Sequence, residues 1–135
     1  MSLSYMKRIL KLLILSIFIF SFACSKSDIR SKYIGDWQFS VEMTKLNIDS
    51  IGHFWQDTVL YDGKIINGNC DNEIVIQYTE EYFISLNTDE HGALYGFPTV
   101  YCNGKFENDS EIFLYLRWGG IGGNTTHIIN GYKNK

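Results

Sequence analysis

The sequence predicts an all-β domain, a small antiparallel up-and-down β-barrel of seven or eight strands, with a β-sandwich as the alternative. Short segments alternate apolar and polar residues with a period of two. β-branched and aromatic residues are frequent, and Gly, Asn and Asp separate the segments at short intervals. No helical periodicity of useful length follows residue 33. Short connections favour pairing of each strand with the next, and closure of such a meander removes exposed sheet edges, so the barrel is preferred.

Residues 1–23 are predicted to be a secretory signal peptide rather than part of the fold. Three basic residues between Lys7 and Lys11 accompany an apolar run from Ile9 to Phe22, and the small residue Ala23 follows. As a helix the run would extend about 21 Å, less than the ~30 Å hydrocarbon core that a spanning helix crosses. A buried N-terminal helix is the alternative, but the run lacks the polar face that such a helix usually has.

The junction of this segment with the rest of the chain is Ala23-Cys24. It resembles the lipobox of bacterial lipoproteins, in which cleavage occurs just before a cysteine that carries lipid. The resemblance implies a lipid on Cys24 as the membrane anchor, and Ser25 after it favours sorting to the outer membrane. Residues 24–32 are then expected to form a short polar tether. The alternative is that Cys24 is incidental.

Residues 33–135 are predicted to form the single β-barrel domain. The chain has 12 basic and 15 acidic residues, and three of the basic ones lie in the signal, so the remainder carries a net charge of −6. A nucleic-acid backbone needs a basic surface, so nucleic acid is not expected as a partner.

The first strand gives the clearest signal. From 37 to 44 the chain alternates strictly, with Trp37, Phe39, Val41 and Met43 on one face and polar residues on the other. Such a strand is half-buried, as in an antiparallel sheet or barrel. The remaining strands are predicted at 54–61, 64–66, 73–78, 82–86, 100–106, 111–118 and 125–132.

Turn chemistry predicts how these strands are connected. Asp62-Gly63 separates the second and third segments, and Thr79-Glu80-Glu81 connects the next pair. Residues 87–99, which contain the only proline, are expected to form a longer loop. Asn108-Asp109 indicates a hairpin, and the glycine-rich residues 119–124 precede the last strand.

A second resemblance concerns the start of the first strand. Gly35-Asp36-Trp37 is similar to the Gly-x-Trp of lipocalins, and residues 33–135 resemble the lipocalin-like lipoproteins of bacteria. The family implies that Gly35 and Trp37 close one end of the barrel, with an arginine from a late strand packed over the tryptophan. Arg117 is the candidate for that arginine. Without the resemblance, Trp37 is simply a core residue at a strand start.

Cys70 and Cys102 remain once Cys24 is assigned to lipid. An even number of cysteines in an exported chain is typical of a disulfide, and a bridge between these two would close a loop of about 33 residues. Two reduced cysteines are the alternative, since the separation of the two Cα atoms decides whether a bridge forms.

Aromatic residues near strand ends predict a ligand or partner surface. This surface comprises Trp55, Tyr95, Phe97, Tyr101 and Trp118. Ordinary packing at strand ends is the alternative. The three histidines are isolated and no Gly-x-Ser-x-Gly is present, so neither a metal, a cofactor nor a catalytic residue is expected.

The sequence therefore favours binding over catalysis and leaves two binding hypotheses. An enzyme, whose polar groups would converge only in the fold, is the third. The barrel could hold a small apolar or amphipathic ligand, as the lipocalin resemblance implies, and its inward positions would then leave a cavity of several hundred Å³. Alternatively, the protein is an interaction module, such as an enzyme inhibitor or an accessory subunit of a surface complex. A filled barrel with exposed aromatics is expected in that case.

Overall fold

The computed structural model describes residues 28–47, 53–96, 100–120 and 122–135. Eight antiparallel strands form a closed barrel in which each strand pairs with the next and the last pairs with the first. The strands are β1 (Gly35–Asn47), β2 (His53–Asn67), β3 (Glu73–Gln77), β4 (Phe83–Thr88), β5 (Ala93–Tyr95), β6 (Tyr101–Asn108), β7 (Glu111–Gly120) and β8 (Gly123–Lys133). The predicted all-β class and the up-and-down barrel are confirmed, and the sandwich alternative is wrong.

The barrel has two different ends. We call the end where β1 begins at Gly35 and β8 finishes at Lys133 the closed end. We call the opposite end, where β1 finishes at Asn47 and β8 begins at Gly123, the upper rim. In the part of the chain that is described, no helix is long and apolar enough to cross a membrane.

The core follows the predicted alternation. Trp37, Phe39, Val41 and Met43 of β1 all point inward and are buried. They belong to one continuous cluster to which every other strand contributes, together with the segment before β1. Its further members are Tyr33, Ile65, Ile74, Ile76, Tyr78, Leu86, Leu94, Phe106, Ile112, Leu114, Leu116 and Ile129.

Asp62-Gly63 is not a turn, and β2 continues through it without interruption. Gly63 and Gly131 lie in β2 and β8 on either side of Phe39. A Cβ atom at Gly131 would lie 2.7 Å from the Phe39 ring, and one at Gly63 would lie 2.9 Å from it and would clash with the backbone carbonyl of Gln77. These glycines therefore let the Phe39 ring spread across three strands, which is a packing role rather than a turn role.

The pairing of β2 is uneven. It pairs with β1 over thirteen of its fifteen residues, from His53 to Ile65, but with β3 only from Lys64 to Asn67. Among the described strands, none pairs with the other side of residues 54–62. We call these nine residues the free edge of β2.

The connections differ from prediction in two further places. Residues 119–124 were expected to connect the last two strands, but β7 continues to Gly120 and β8 begins at Gly123. The segment 87–99 was expected to be a loop, but β4 reaches Thr88 and the short strand β5 follows at Ala93. The predicted connection at residues 79–81 and the hairpin at Asn108-Asp109 are present, between β3 and β4 and between β6 and β7.

Candidate functional site

The closed end is sealed by the segment immediately before β1. The Trp37 indole Nε1 donates a hydrogen bond to the Tyr33 carbonyl oxygen at 2.8 Å. The Tyr33 ring stacks on Phe106 with a centroid distance of 3.5 Å and an interplanar angle of 5°. Trp37, predicted to close the barrel, is thus buried at that end, and Tyr33 is the covering residue that the sequence analysis missed.

Residues 28–32, predicted as part of the tether, lie against the barrel. Arg30 forms a two-pronged ion pair with Asp28, and its Nη1 donates to the carbonyl oxygens of Cys70 at 2.6 Å and Glu73 at 3.1 Å. Hydrogen bonds from the guanidinium lower the pKa of Asp28 to about 2. The chain therefore enters the domain at the closed end, beside the β2–β3 turn.

The predicted packing of Arg117 over Trp37 is wrong. Arg117 pairs with Thr126 on β8, whereas Trp37 lies at the level of Lys133, seven residues further along that strand, or about 23 Å. Arg117 is also exposed, because the odd-numbered positions of β7 alternate away from the core. Gly35, the third residue of this prediction, has φ of +140° and lies beside the Lys133 side chain at the closed end.

The two cysteines predicted as a disulfide are both free. Cys70 is exposed in the turn after β2 at the closed end. Cys102 is half-buried on β6 and pairs with Leu116 towards the upper rim, where burial raises the pKa of its thiol. The bridge is therefore incompatible with this fold, because the two residues belong to opposite ends of the barrel. Cys24 lies outside the described residues.

The upper part of the barrel contains a buried polar cluster around His127. Nδ1 of His127 lies 3.0 Å from the Tyr78 hydroxyl. The rings of Trp118, Tyr82 and Tyr78 surround the imidazole edge-on, with centroids 4.6, 4.9 and 5.7 Å away. Burial lowers the pKa of His127 to about 4, so the ring is neutral near pH 7 and its Nδ1 can accept a hydrogen bond from the tyrosine hydroxyl.

A cleft of about 300 Å³ lies at the upper rim, beside this cluster and outside the packed core. The ends of β1, β7 and β8 form it, and Trp118 and Lys45 supply an aromatic ring and a positive charge. The other lining residues are Leu46, Asn47, Gly119, Gly120, Gly122, Gly123, Asn124 and Thr125. Trp118, predicted as part of a ligand or partner surface, is half-buried, lines this cleft and contacts His127.

The predicted aromatic surface is only partly assembled. Tyr95 and Tyr101 are both exposed on the adjacent strands β5 and β6, and the Tyr101 ring meets that of Tyr115 on β7 edge-on at 6.0 Å. Trp55 is exposed on β2, three strands away from β5 and four from β6 around the barrel. Phe97 lies outside the described residues. Tyr101 and Tyr115 are therefore in contact, and Tyr95 lies on the neighbouring strand β5. We call these three residues the tyrosine face.

Metal chemistry has no assembled site within the described ranges, where no group of three or more His, Cys, Asp or Glu side chains converges. His91 is exposed next to Glu90, and His127 is enclosed by rings.

No protein-family model matches this chain, and no curated protein matches it. Among solved structures, the chain is similar to one described as "Odorant Binding Protein OBP1", with 16% sequence identity and a TM-score of 0.39. The similarity covers 77% of this chain and 73% of that chain. At this level of similarity, a functional assignment depends on the geometry of this chain itself.

Proposed function

We propose that this protein is a lipid-anchored protein of the cell envelope, held at the outer membrane, that acts as an interaction module and binds a protein partner through the tyrosine face. The observation that carries the proposal is the contrast between a core of packed side chains and exposed rings on adjacent strands. Tyr101 is 62% exposed, although it sits on a regular strand, contacts Tyr115 edge-on and lies on the strand next to that of Tyr95. Rings with a polar hydroxyl are typical anchors of protein interfaces.

The anchor is proposed to be lipid on Cys24, and the geometry of the chain entry gives it an orientation. Arg30 fixes the chain at the closed end, and Asp28 is the fourth residue after Cys24, a reach of at most about 14 Å. A lipid on Cys24 therefore places the closed end next to the membrane. The upper rim and the tyrosine face then point towards a partner.

Photo-crosslinking from single positions in the full chain, produced in its own host, tests the partner surface. A photoreactive phenylalanine analogue replaces Tyr101 or, as a control, Tyr132, which is 57% exposed but lies on β8 near the closed end. We expect a discrete protein adduct from position 101 and none from position 132. Adducts from neither position, or equally from both, would contradict the tyrosine face as the partner surface.

The anchor has a separate test. Cys24→Ala in the full chain should move the protein from the membrane fraction to the soluble fraction and remove the mass of the lipid from the N-terminal peptide. Cys70→Ala serves as the matched control, since Cys70 is an exposed cysteine that the proposal leaves unmodified. Retention of the Cys24→Ala chain in the membrane would overturn the lipid anchor.

The second candidate is binding of a small amphipathic ligand, and the rim cleft favours it. A volume of about 300 Å³ is at the lower end for small-molecule sites, and Trp118 and Lys45 offer an apolar ring and a cation for a ligand with an anionic head. Native mass spectrometry of the detergent-extracted chain from its own host should show a bound small molecule that Lys45→Glu removes. A chain free of small molecules would remove this candidate.

A further inference from the structure

We propose that the free edge of β2 is a second binding surface, which takes up an extended apolar and basic segment of another polypeptide as an added β-strand. This surface lies on the side of the barrel away from the tyrosine face. The proposal therefore stands or fails independently of that face. Its evidence is the direction of the backbone groups, the state of one amide, and the side chains along the edge.

The backbone groups that face outward along the edge can be identified. The Gly68 amide donates to the Glu73 carbonyl oxygen at 2.8 Å, in line with the β2–β3 register. The N–H and C=O groups of successive residues point to opposite sides of a strand. Because those of Gly68 point towards β3, the N–H and C=O groups of the even-numbered residues of β2 also point to that side, away from β1. The outward N–H and C=O groups of the free edge therefore belong to Phe54, Gln56, Thr58, Leu60 and Asp62.

The Thr58 amide gives independent evidence that the edge is unpaired. It donates to its neighbour, the Asp57 Oδ1 atom, at 2.8 Å, where a strand inside a sheet would donate to a carbonyl of the next strand. A side-chain carboxylate can be exchanged for a backbone carbonyl. Arrival of an added strand therefore leaves this amide satisfied and releases the Asp57 carboxylate to pair with a cation.

The side chains along the edge specify the chemistry of the segment. Phe54 is 62% exposed and Leu60 74% exposed on the outer face, and Trp55 is 50% exposed on the other. These large apolar side chains are matched by apolar partners across a strand pair. The only charged residues of the edge are Asp57 and Asp62, so the positions opposite them favour lysine or arginine.

A second copy of this chain fits the edge less well. Asp57 and Asp62 find no basic residue within the same nine positions of a copy. Antiparallel pairing of two β2 edges would also point the two closed ends in opposite directions. With the proposed lipid near each closed end, both copies could not be held by one membrane, and the occupant we propose is therefore a different polypeptide.

A peptide of defined sequence tests the proposal with the full chain in detergent. The peptide Lys-Val-Ile-Val-Thr-Lys-Thr-Tyr-Val, paired antiparallel to residues 62–54, places its lysines opposite Asp62 and Asp57. We expect it to bind and to slow hydrogen exchange of the amides of Phe54, Gln56, Thr58, Leu60 and Asp62, which exchange faster than the odd-numbered amides in the free protein. The same peptide with both lysines replaced by glutamate should bind at least tenfold more weakly.

Thr58→Pro is the decisive variant, because it removes an outward N–H without removing a hydrogen bond to β1. It should weaken peptide binding at least tenfold, while Thr58→Ala, which keeps the amide, should not. A circular dichroism spectrum like that of the unchanged chain verifies that the proline variant is folded. If that variant is unfolded, the proposal is tested by the weaker binding of the glutamate peptide and by the pattern of hydrogen exchange along β2. Equal binding of the two peptides, uniform exchange along β2, or self-association that Thr58→Pro abolishes would each overturn the proposal.

Discussion

The closed end and the upper rim of this barrel are built from the same strands but differ in almost every physical respect. At the closed end the indole of Trp37 is fully buried and hydrogen-bonded, Tyr33 is stacked on Phe106, and the entering chain is fixed by Arg30. At the upper rim the interior contains a histidine among aromatic rings beside an open cleft. The difference indicates that one end supplies stability and leaves the other free to carry binding surfaces.

The largest effect is expected from the tryptophan that closes the barrel. Trp37→Ala removes a large, fully buried side chain and its hydrogen bond to Tyr33, so the free energy of unfolding should fall by about 3–5 kcal/mol. Trp55→Ala, on the exposed edge strand, should change it by less than about 1 kcal/mol. Urea unfolding followed by circular dichroism measures both. Similar losses for the two variants would mean that the two ends do not differ in stability.

A smaller but still large effect is expected where the Phe39 ring crosses its neighbours. A Cβ atom at position 131 would lie within 2.7 Å of both the Phe39 ring and the Ile112 side chain. Gly131→Val should therefore lower the free energy of unfolding by about 1–3 kcal/mol. Gly120→Ala, at the upper rim, meets no atom within 4 Å and is the matched control. Thermal unfolding compares the two. A Gly131→Val chain as stable as the control would refute the close packing around Phe39.

The rim should also make stability depend on pH. Burial lowers the pKa of His127 to about 4 in the folded chain, against an ordinary value of about 6.5, so the unfolded chain binds a proton first as pH falls. The free energy of unfolding is therefore highest, as far as His127 is concerned, above about pH 6.5. It falls by about 1–2 kcal/mol, after allowance for solvent screening, as the pH decreases to about 4. His127→Gln should flatten urea midpoints over that interval. An unchanged pH slope would show that another group titrates.

The regular strands were the part of the fold that the sequence could predict. In β1 the alternation of Trp37, Phe39, Val41 and Met43 is both a local pattern and the true burial pattern. Asp62-Gly63 predicts a turn from local chemistry, but the reasons for a glycine there are the Gln77 carbonyl oxygen and the Phe39 ring, which belong to distant parts of the chain. β5 was missed because three residues in a polar segment carry too short a pattern to detect.

The functional surfaces were predicted less completely, since they depend on register and on strand length. Arg117 was assigned to the closed end by resemblance, but its register with Thr126 places it far from Trp37. The tyrosine face was half anticipated, through Tyr95 and Tyr101, from their positions near strand ends. The free edge of β2 was not predicted. It arises because β3 is much shorter than β2, and the sequence does not show this difference in strand length.

The smallest effect we expect concerns a single hydrogen bond at the rim. Burial raises the pKa of Tyr78 well above its ordinary value, so its hydroxyl stays protonated and can donate to Nδ1 of His127. Tyr78→Phe keeps the ring contacts but removes this donor, which should lower the free energy of unfolding by about 1 kcal/mol at pH 7. Tyr82→Phe is the control, since the Tyr82 ring also contacts His127 but its side chain is exposed, and it should cost less than about 0.5 kcal/mol. Urea midpoints at pH 7 separate the two variants, and equal losses would show that the rings, rather than the hydrogen bond, hold His127 in place.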